Sequence, residues 1–161
     1  MMKTTIKFLV IIVLLLGINK SVKSQNEDLI GVFSSDLLFE EPCKSWYETE
    51  YQYVPDAQVI NDIKNLQSDF SVTIILGTWC SDSQTQVPRF LKILDELNYD
   101  IGNFLLIGVD RQKKVDNFDI EKYNIERVPT FIIYRKNVEI GRIVETPTKT
   151  LEEDLFDILS K

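Results

Sequence analysis

The sequence contains no histidine and only two cysteines among its 161 residues. The absence of imidazole excludes Ser-His-Asp and Cys-His catalysis, and it excludes every metal site that requires a histidine ligand. Two cysteines form at most one disulfide bridge, so the chain is not a disulfide-dense scaffold. The sequence also lacks a dinucleotide fingerprint, a phosphate-binding loop and metal-ligand spacing, and we therefore expect no cofactor and no metal.

Only one long apolar run is present, and it lies near the N-terminus. Lys3 and Lys7 precede the run Phe8 to Ile18, which a polar stretch ending in Ser24 follows. A helix of that length rises only about 16 Å, too short for a hydrocarbon core of about 30 Å. We predict that residues 1–24 are a signal peptide, cleaved near Ser24 and followed by a periplasmic or secreted protein. An uncleaved signal anchor is the alternative.

Basic side chains are scarce in the rest of the chain. Residues 25–161 carry 14 basic and 25 acidic groups. Nucleic acids and anionic membranes are bound by Lys and Arg side chains that neutralise phosphate. We therefore expect no nucleic-acid partner and no stable membrane insertion after signal cleavage. Export would place both cysteines where disulfides persist.

The segment before residue 56 is the least regular part of the pattern. Residues 25–40 are interpreted as a mostly irregular lead-in, and Pro42 as the first position of a helix. The apolar face of that helix would be aromatic and would consist of Cys43, Trp46, Tyr47, Tyr51 and Val54. A strand is the alternative, because three of the tyrosines also fit a period of two.

From Asp56 onward the hydrophobic pattern alternates between helices and strands. Asp56 is expected to cap an amphipathic helix, and the elements after it are predicted from periodicity. The first half contains a helix with Val59, Ile60, Ile63 and Leu66, a strand from Ser71 to Gly77, and a helix with Val87, Phe90, Leu91, Leu94 and Leu97. A strand from Phe104 to Val109 and a short helix within Lys113 to Tyr123 follow. The last elements are a hairpin of Thr130 to Tyr134 and Val138 to Val144, and a closing helix with Leu151, Leu155, Ile158 and Leu159. This order predicts an α/β fold, a central mixed β-sheet with helices on both faces.

One cysteine lies between a buried strand and a helix. Cys80, within Thr78-Trp79-Cys80-Ser81-Asp82-Ser83, is expected at the helix N-terminus, where free backbone N–H groups and the helix dipole favour thiolate. Asp82 adds a negative charge that opposes this effect. Packing as a small apolar residue at a strand end is the alternative for Cys80.

At these residues the sequence resembles the thioredoxin family. Trp79-Cys80-x-x-Ser83 stands where that family carries Trp-Cys-x-x-Cys, Pro88 matches its helix proline, and Val128-Pro129-Thr130 resembles its cis-proline loop. The resemblance implies a thioredoxin-like domain over residues 56–161, with residues 25–55 as an N-terminal extension. It also implies that Trp79, Val128 and Pro129 bind client main chain beside the catalytic Cys80.

The sequence departs from the family pattern at two positions that matter for the chemistry. Ser83 replaces the second motif cysteine, and Ile74 stands where classical members carry a buried acid. Two mechanisms remain: Cys80 attacks a client or low-molecular-weight disulfide and Cys43 resolves it, or an external thiol reductant releases the client while Ser83 hydrogen-bonds the sulfur. For Cys43 a purely structural role is the alternative.

Two further functions compete with thiol–disulfide exchange. One is a redox-silent thioredoxin-like module that binds peptides or partner proteins through the face of Trp79 and Pro129. The other is a carboxylate-based hydrolase, for which Asp82 and Asp110 at predicted strand ends are the candidates. Acidic residues in loops are usually solvated, which disfavours the hydrolase.

Overall fold

The computed structural model describes residues 28–66 and 68–161. The predicted signal peptide lies outside these residues. Within them the strands are β1 (Gly31–Phe33), β2 (Ser71–Leu76), β3 (Phe104–Gly108), β4 (Thr130–Arg135) and β5 (Val138–Val144). The α-helices are α1 (Lys44–Glu50), α2 (Ala57–Asn65), α3 (Ser81–Glu96) and α4 (Leu151–Leu159).

The described strands form one mixed sheet in the order β1-β3-β2-β4-β5. Strands β2 and β3 are parallel, and the other pairs are antiparallel. Strand β2 lies in the middle and is buried on both faces, as its run of consecutive apolar residues predicts. The mixed sheet of an α/β fold is therefore confirmed.

All four α-helices of the described residues contribute to the core on one face of the sheet, so the expectation of helices on both faces holds only for the short 3-10 helix Glu121–Tyr123 on the second face. Alternate strand residues enter that core, including Ile74 from β2, Leu106 from β3 and Phe131 from β4. Phe90 of α3 stacks on Phe131, with the ring centroids 4.5 Å apart. The helical spacing of apolar residues predicted in α2, α3 and α4 thus corresponds to this buried face.

The second face is covered by the segment 110–127, which is mostly irregular. The short helix predicted between Lys113 and Tyr123 is reduced to a single 3-10 helix, Glu121–Tyr123. Lys113, Asn117 and Asn124 all have positive φ, which an α-helix does not allow. Ile75, Ile107 and Ile132 form the core beneath this segment.

The N-terminal lead-in is more regular than predicted. Residues 31–33 form β1 as an edge strand beside β3, with Gly31 opposite Gly108. Helix α1 begins at Lys44, so Pro42 is not its first position. The aromatic face is confirmed at Tyr47, but Val54 lies beyond the helix end and is 85% exposed. The extension therefore contributes to the same sheet as the rest of the described chain.

The closing helix is fixed by its cap and by a buried carboxylate. Thr150 and Glu153 form a reciprocal capping box at the start of α4. Glu152, which is 2% exposed, accepts hydrogen bonds from the Tyr53 hydroxyl and the Asp56 N–H. These bonds join the segment after α1 to the C-terminal helix. Among the described helices, none is long and apolar enough to cross a bilayer.

Candidate active site

The reactive cysteine of the sequence pattern lies at the N-terminus of the longest helix described. Cys80 is the N-cap residue of α3, with extended backbone angles, and its side chain is half-buried. Strand β2 ends at Leu76, and Gly77 allows the chain to turn under the indole of Trp79. A Cβ atom at Gly77 would lie 2.5 Å from Cε2 of Trp79, so only glycine fits beneath that ring. Cys80 therefore lies at the N-terminal end of a sixteen-residue helix, although its side chain makes no capping hydrogen bond with the N–H groups there.

The loop before β4 lies against this cysteine. The Val128–Pro129 peptide bond is cis, and the Cys80 thiol donates to the Val128 carbonyl oxygen at 3.3 Å. Val128 and Pro129 are buried. The structure thus places Cys80 beside the Val128–Pro129 pair, although Val128 lies 48 residues further along the chain.

Ser83 lies one helical turn beyond Cys80 and is fully buried. Its hydroxyl oxygen accepts a hydrogen bond from the Gly77 N–H at 3.2 Å. In the described residues it makes no hydrogen bond with the sulfur of Cys80, the contact that one of the two mechanisms assigns to it. Ser83 therefore stabilises the turn that leads into α3.

Trp79 closes one side of the site. Its indole N–H donates to the Val109 carbonyl oxygen at 2.9 Å, which links the site loop to the end of β3. The Arg111 guanidinium lies 5.2 Å from the centre of the indole ring, a cation–π distance. Sequence reasoning did not identify Arg111, because only the fold brings the loop after β3 to Trp79.

Thr78 and Gln84 also hold the site loop, and neither was predicted to do so. The Thr78 hydroxyl accepts from the Leu29 N–H at 3.1 Å and donates to the Asp28 carboxylate at 3.4 Å. The Gln84 amide donates to the Thr78 carbonyl oxygen at 2.7 Å. The sequence offered one sign of the role of Thr78: it is a polar residue between a buried strand and the cysteine, and a polar side chain buried there needs hydrogen-bond partners.

Cys43 occupies a different environment from Cys80. Its side chain is fully buried in the core on the helical face, whereas Cys80 packs at the edge of the core on the opposite face. Burial, followed by the negative charges of Asp28 and Glu41, raises the pKa of the Cys43 thiol to about 11. Both cysteines are free thiols. Few Cys43 thiolates are therefore available near neutral pH.

Asp82 and Asp110, the two acids that a hydrolase would need, make no hydrogen bond with each other among the described residues. One carboxylate oxygen of Asp110 accepts from the backbone N–H groups of Gln112 and Lys114, at 2.8 and 2.7 Å. Asp110 thus stabilises its own turn. Among the described residues, no group of three or more acidic or cysteine side chains is arranged to bind a metal ion.

Comparisons with known proteins identify relatives of this chain. A family model described as Thioredoxin matches residues 40–156. Thioredoxin from Mycoplasma genitalium is 30% identical over 104 residues, which cover 61% of this chain and 95% of that protein. Thioredoxin AMT13 from Alternaria alternata is 22% identical over 102 residues, covering 63% of this chain and 81% of that protein.

One solved structure was also matched. The oxidized form of mitochondrial thioredoxin 3 from Saccharomyces cerevisiae is 22% identical, with a TM-score of 0.40, and the match covers 70% of this chain and 99% of that one. The family model spans well over half of the chain. The chain therefore belongs to the thioredoxin family, whose general role is thiol–disulfide redox chemistry.

Proposed function

We propose that the protein is an exported thiol–disulfide exchange protein that works with one reactive thiol, Cys80. The observation that carries this proposal is the position of Cys80 at the N-terminus of α3, half-buried and beside the carbonyl of Val128. An accessible thiol at a helix N-terminus has the surroundings that favour the nucleophilic thiolate. Ser83, in place of a second motif cysteine, leaves that thiol without an adjacent resolving partner.

The proposed exchange has two steps, and each conserves the number of disulfide bonds. The Cys80 thiolate attacks one sulfur of a client disulfide, and the client S–S bond breaks as the Cys80–client bond forms. The other client sulfur leaves with the electron pair and takes a proton from solvent. An external thiol then attacks the client sulfur of the mixed disulfide, which restores the Cys80 thiol. The external thiol is oxidised by this second step, since its sulfur enters the new disulfide.

The burial of Cys43 favours an external thiol over internal resolution. A resolving thiol must reach the Cys80–client disulfide as a thiolate. Cys43 is fully buried on the other side of the sheet, and its pKa is raised to about 11. We therefore assign Cys43 a structural role beside Tyr47 in the helical core.

The loop next to Cys80 supports a peptide as the substrate. The Val128 carbonyl oxygen accepts from the Cys80 thiol, and Pro129 follows through a cis peptide bond. Trp79 packs in the same apolar cluster as Cys80 and Val128. In the proposed complex these residues align an extended client segment so that its disulfide meets Cys80. The predicted signal peptide would place the reaction in the periplasm or outside the cell, where clients contain disulfides.

Mass spectrometry after reaction with a model peptide disulfide tests this proposal. We expect one peptide adduct on Cys80 in the wild type and in Cys43→Ala, and none in Cys80→Ser. A Cys43–Cys80 bridge in the wild type would show internal resolution instead. A wild-type protein without any adduct near neutral pH would refute exchange, and peptide binding that persists in Cys80→Ser would then indicate a redox-silent binding module.

A further inference from the structure

The loop after β3 concentrates positive charge in an acidic protein. Residues 28–161 contain 14 basic and 24 acidic side chains, yet Arg111, Lys113 and Lys114 lie within four consecutive residues. We name residues 111–114 the basic loop. Within the described residues, none of its three cations forms an ion pair with a carboxylate. Their charges are therefore available to a partner.

Hydrogen bonds with Asp110 fix the backbone of the basic loop. The Asp110 carboxylate accepts from the N–H groups of Gln112 and Lys114, and the Lys113 N–H donates to the Asp110 carbonyl oxygen at 2.9 Å. The Asp110 N–H in turn donates to the Lys114 carbonyl oxygen. A loop fixed in this way loses little conformational entropy when it binds a partner.

The basic loop lies on the same side of the sheet as Cys80. Arg111 is placed over Trp79, the residue before the nucleophile. Trp79 and Cys80 pack on the apolar cluster that includes Ile120 and is flanked by Ile125. The basic loop and the site loop thus belong to one surface.

A small cavity opens beside the basic loop. It has a volume of about 310 Å³ and is lined by Gln112, Lys113, Lys114, Ile120, Glu121, Asn124 and Ile125. This volume is at the lower end of the range for small-molecule sites, about 300–1,000 Å³. It therefore suits one or two side chains of a bound peptide better than a large free ligand.

Carboxylates also lie close to the basic loop in sequence. Glu121 lines the same cavity, and Asp116 follows the basic loop by two residues. Asp110 accepts hydrogen bonds from backbone N–H groups, and Asp82 lies in the first turn of α3; neither carboxylate lines the cavity. In the cavity lining, Lys113 and Lys114 face one carboxylate, that of Glu121, which leaves a surplus of one positive charge there for an anionic partner.

We propose that the basic loop recognises an acidic segment of the client next to its reacting disulfide. This inference rests on the proposed exchange function and names its preferred substrate class. One acidic side chain of the client enters the cavity beside Lys113 and Lys114, and another pairs with Arg111. Charge complementarity of this kind raises the association rate and selects the partner. The basic loop therefore favours acidic peptides over neutral ones.

Reaction rates with two matched peptides test the inference. Each peptide carries one cysteine as a mixed disulfide with a chromogenic thiol, and the two differ only in glutamates or glutamines flanking that cysteine. In wild-type protein at about 10 mM salt, we expect the acidic peptide to react at least about threefold faster. At about 500 mM salt the ratio should approach one, because salt screens exposed charges.

Two sets of variants locate the effect. The triple variant Arg111→Gln, Lys113→Gln and Lys114→Gln should lower the ratio to about one even at low salt. A matched variant that replaces Lys64, Lys136 and Lys161 with glutamine should keep the wild-type ratio. Lys64 and Lys136 line a separate cleft of about 1200 Å³ at the other end of the sheet, which includes Ser71 at the start of β2.

The possible outcomes separate this inference from the function on which it depends. Equal rates for the two peptides with wild-type protein would overturn substrate selection by the basic loop and leave exchange intact. A ratio that survives in the triple variant would also overturn it. A small anionic disulfide is tested beside the two peptides, and a charge preference seen only with that small disulfide would contradict a peptide as the partner. No release of the chromogenic thiol from any peptide would refute both proposals.

Discussion

The hydroxyl of Thr78 accepts a hydrogen bond from the backbone N–H of Leu29 at 3.1 Å, across 49 residues of sequence. Thr78 is two residues before the nucleophile, and Leu29 leads into β1. A Cβ atom on Gly108 would lie 1.9 Å from the Leu29 carbonyl oxygen, so β3 also closes tightly on this segment. The N-terminal segment is therefore bonded directly to the loop that positions Cys80.

Removing the Thr78 hydroxyl should loosen this connection. In Thr78→Val the Leu29 N–H loses its acceptor in a partly buried site, and we expect the free energy of unfolding to fall by about 1–3 kcal/mol. Thr78→Ser keeps the hydroxyl and should lose less than half of that amount. Urea unfolding of both variants measures the difference. Equal stabilities for the valine and serine variants would show that the hydrogen bond contributes nothing.

Introducing a second thiol at position 83 should change the chemistry of the site. Cys80 is the N-cap of α3 and Ser83 is three residues later, the spacing at which an N-cap and an N3 side chain meet. We expect Ser83→Cys to form an intramolecular disulfide with Cys80 when it is oxidised. Ser81→Cys is the matched control, since Ser81 is exposed and adjacent to Cys80. Mass spectrometry without reductant reports the bridge, and a bridge in both variants or in neither contradicts the expected geometry.

Cys43→Ala should lower the stability of the fold without slowing the reaction of Cys80. Cys43 is fully buried, so its truncation should lower the free energy of unfolding by about 1–2 kcal/mol, within the range of small core deletions. The rate at which Cys80 forms a mixed disulfide should stay within about twofold of wild type. Stopped-flow kinetics with a small disulfide measures that rate. A large fall in turnover, with the rate of mixed-disulfide formation unchanged, would support a resolving role for Cys43.

The Cys43 thiol should also make stability fall at alkaline pH. Its pKa is raised from the ordinary value of 9.0 to about 11, chiefly by burial. Between these values the unfolded chain releases the proton that the folded chain retains, so the free energy of unfolding decreases as pH rises. The full contribution is present below pH 9, and about 2–3 kcal/mol should be lost by pH 11.

Urea unfolding at pH 8 and at pH 11 measures this effect. The wild type should lose about 2 kcal/mol more than Cys43→Ala over this range, because the tyrosines of the two proteins titrate alike. Identical losses in both proteins would show that the Cys43 thiol titrates normally in the folded state.

The hydrogen bond between Tyr53 and Glu152 should contribute measurably to stability. The Tyr53 hydroxyl donates to a Glu152 carboxylate oxygen at 2.9 Å, and burial together with this contact raises the pKa of Tyr53 to about 12. In Tyr53→Phe the buried carboxylate loses a donor, and we expect a loss of about 1–3 kcal/mol in the free energy of unfolding. Tyr123→Phe, which removes a hydroxyl without a hydrogen bond among the described residues, should change it by less than about 0.5 kcal/mol. Thermal or urea unfolding of the two variants distinguishes them.

The parts of the fold predicted from sequence are those in which local pattern and tertiary burial agree. Strand β2 is apolar at consecutive positions because both faces of the sheet cover it, and α3 repeats apolar residues at the helical period. Strand β1 could not be predicted, because three residues are too short for periodicity and the strand exists only through its pairing with β3. The segment 110–127 was expected to be more helical because polar sequence alone does not reveal its left-handed residues.

The candidate site divides in a similar way. Cys80 and its place between strand and helix follow from the local pattern, and the loop of Val128 and Pro129 was predicted from the resemblance to a family. The partners of Thr78, the burial of Ser83 and the contact of Arg111 with Trp79 depend on segments far apart in sequence. No single stretch of the chain encodes such contacts, so sequence reasoning alone could not identify them.

The pairing of Gly31 with Gly108 also bears on the order of folding. Strand β1 is made early in synthesis, yet its partner β3 follows only after α3 has been made. Closing so long a loop costs more chain entropy than forming the neighbouring hairpin of β4 and β5, and long-range contacts generally slow folding. We therefore expect β1 to join the sheet late in folding. The Cys80 loop would first form without the hydrogen bond between Thr78 and Leu29, and it would gain that bond only when the N-terminal segment, which is synthesised first, pairs with β3.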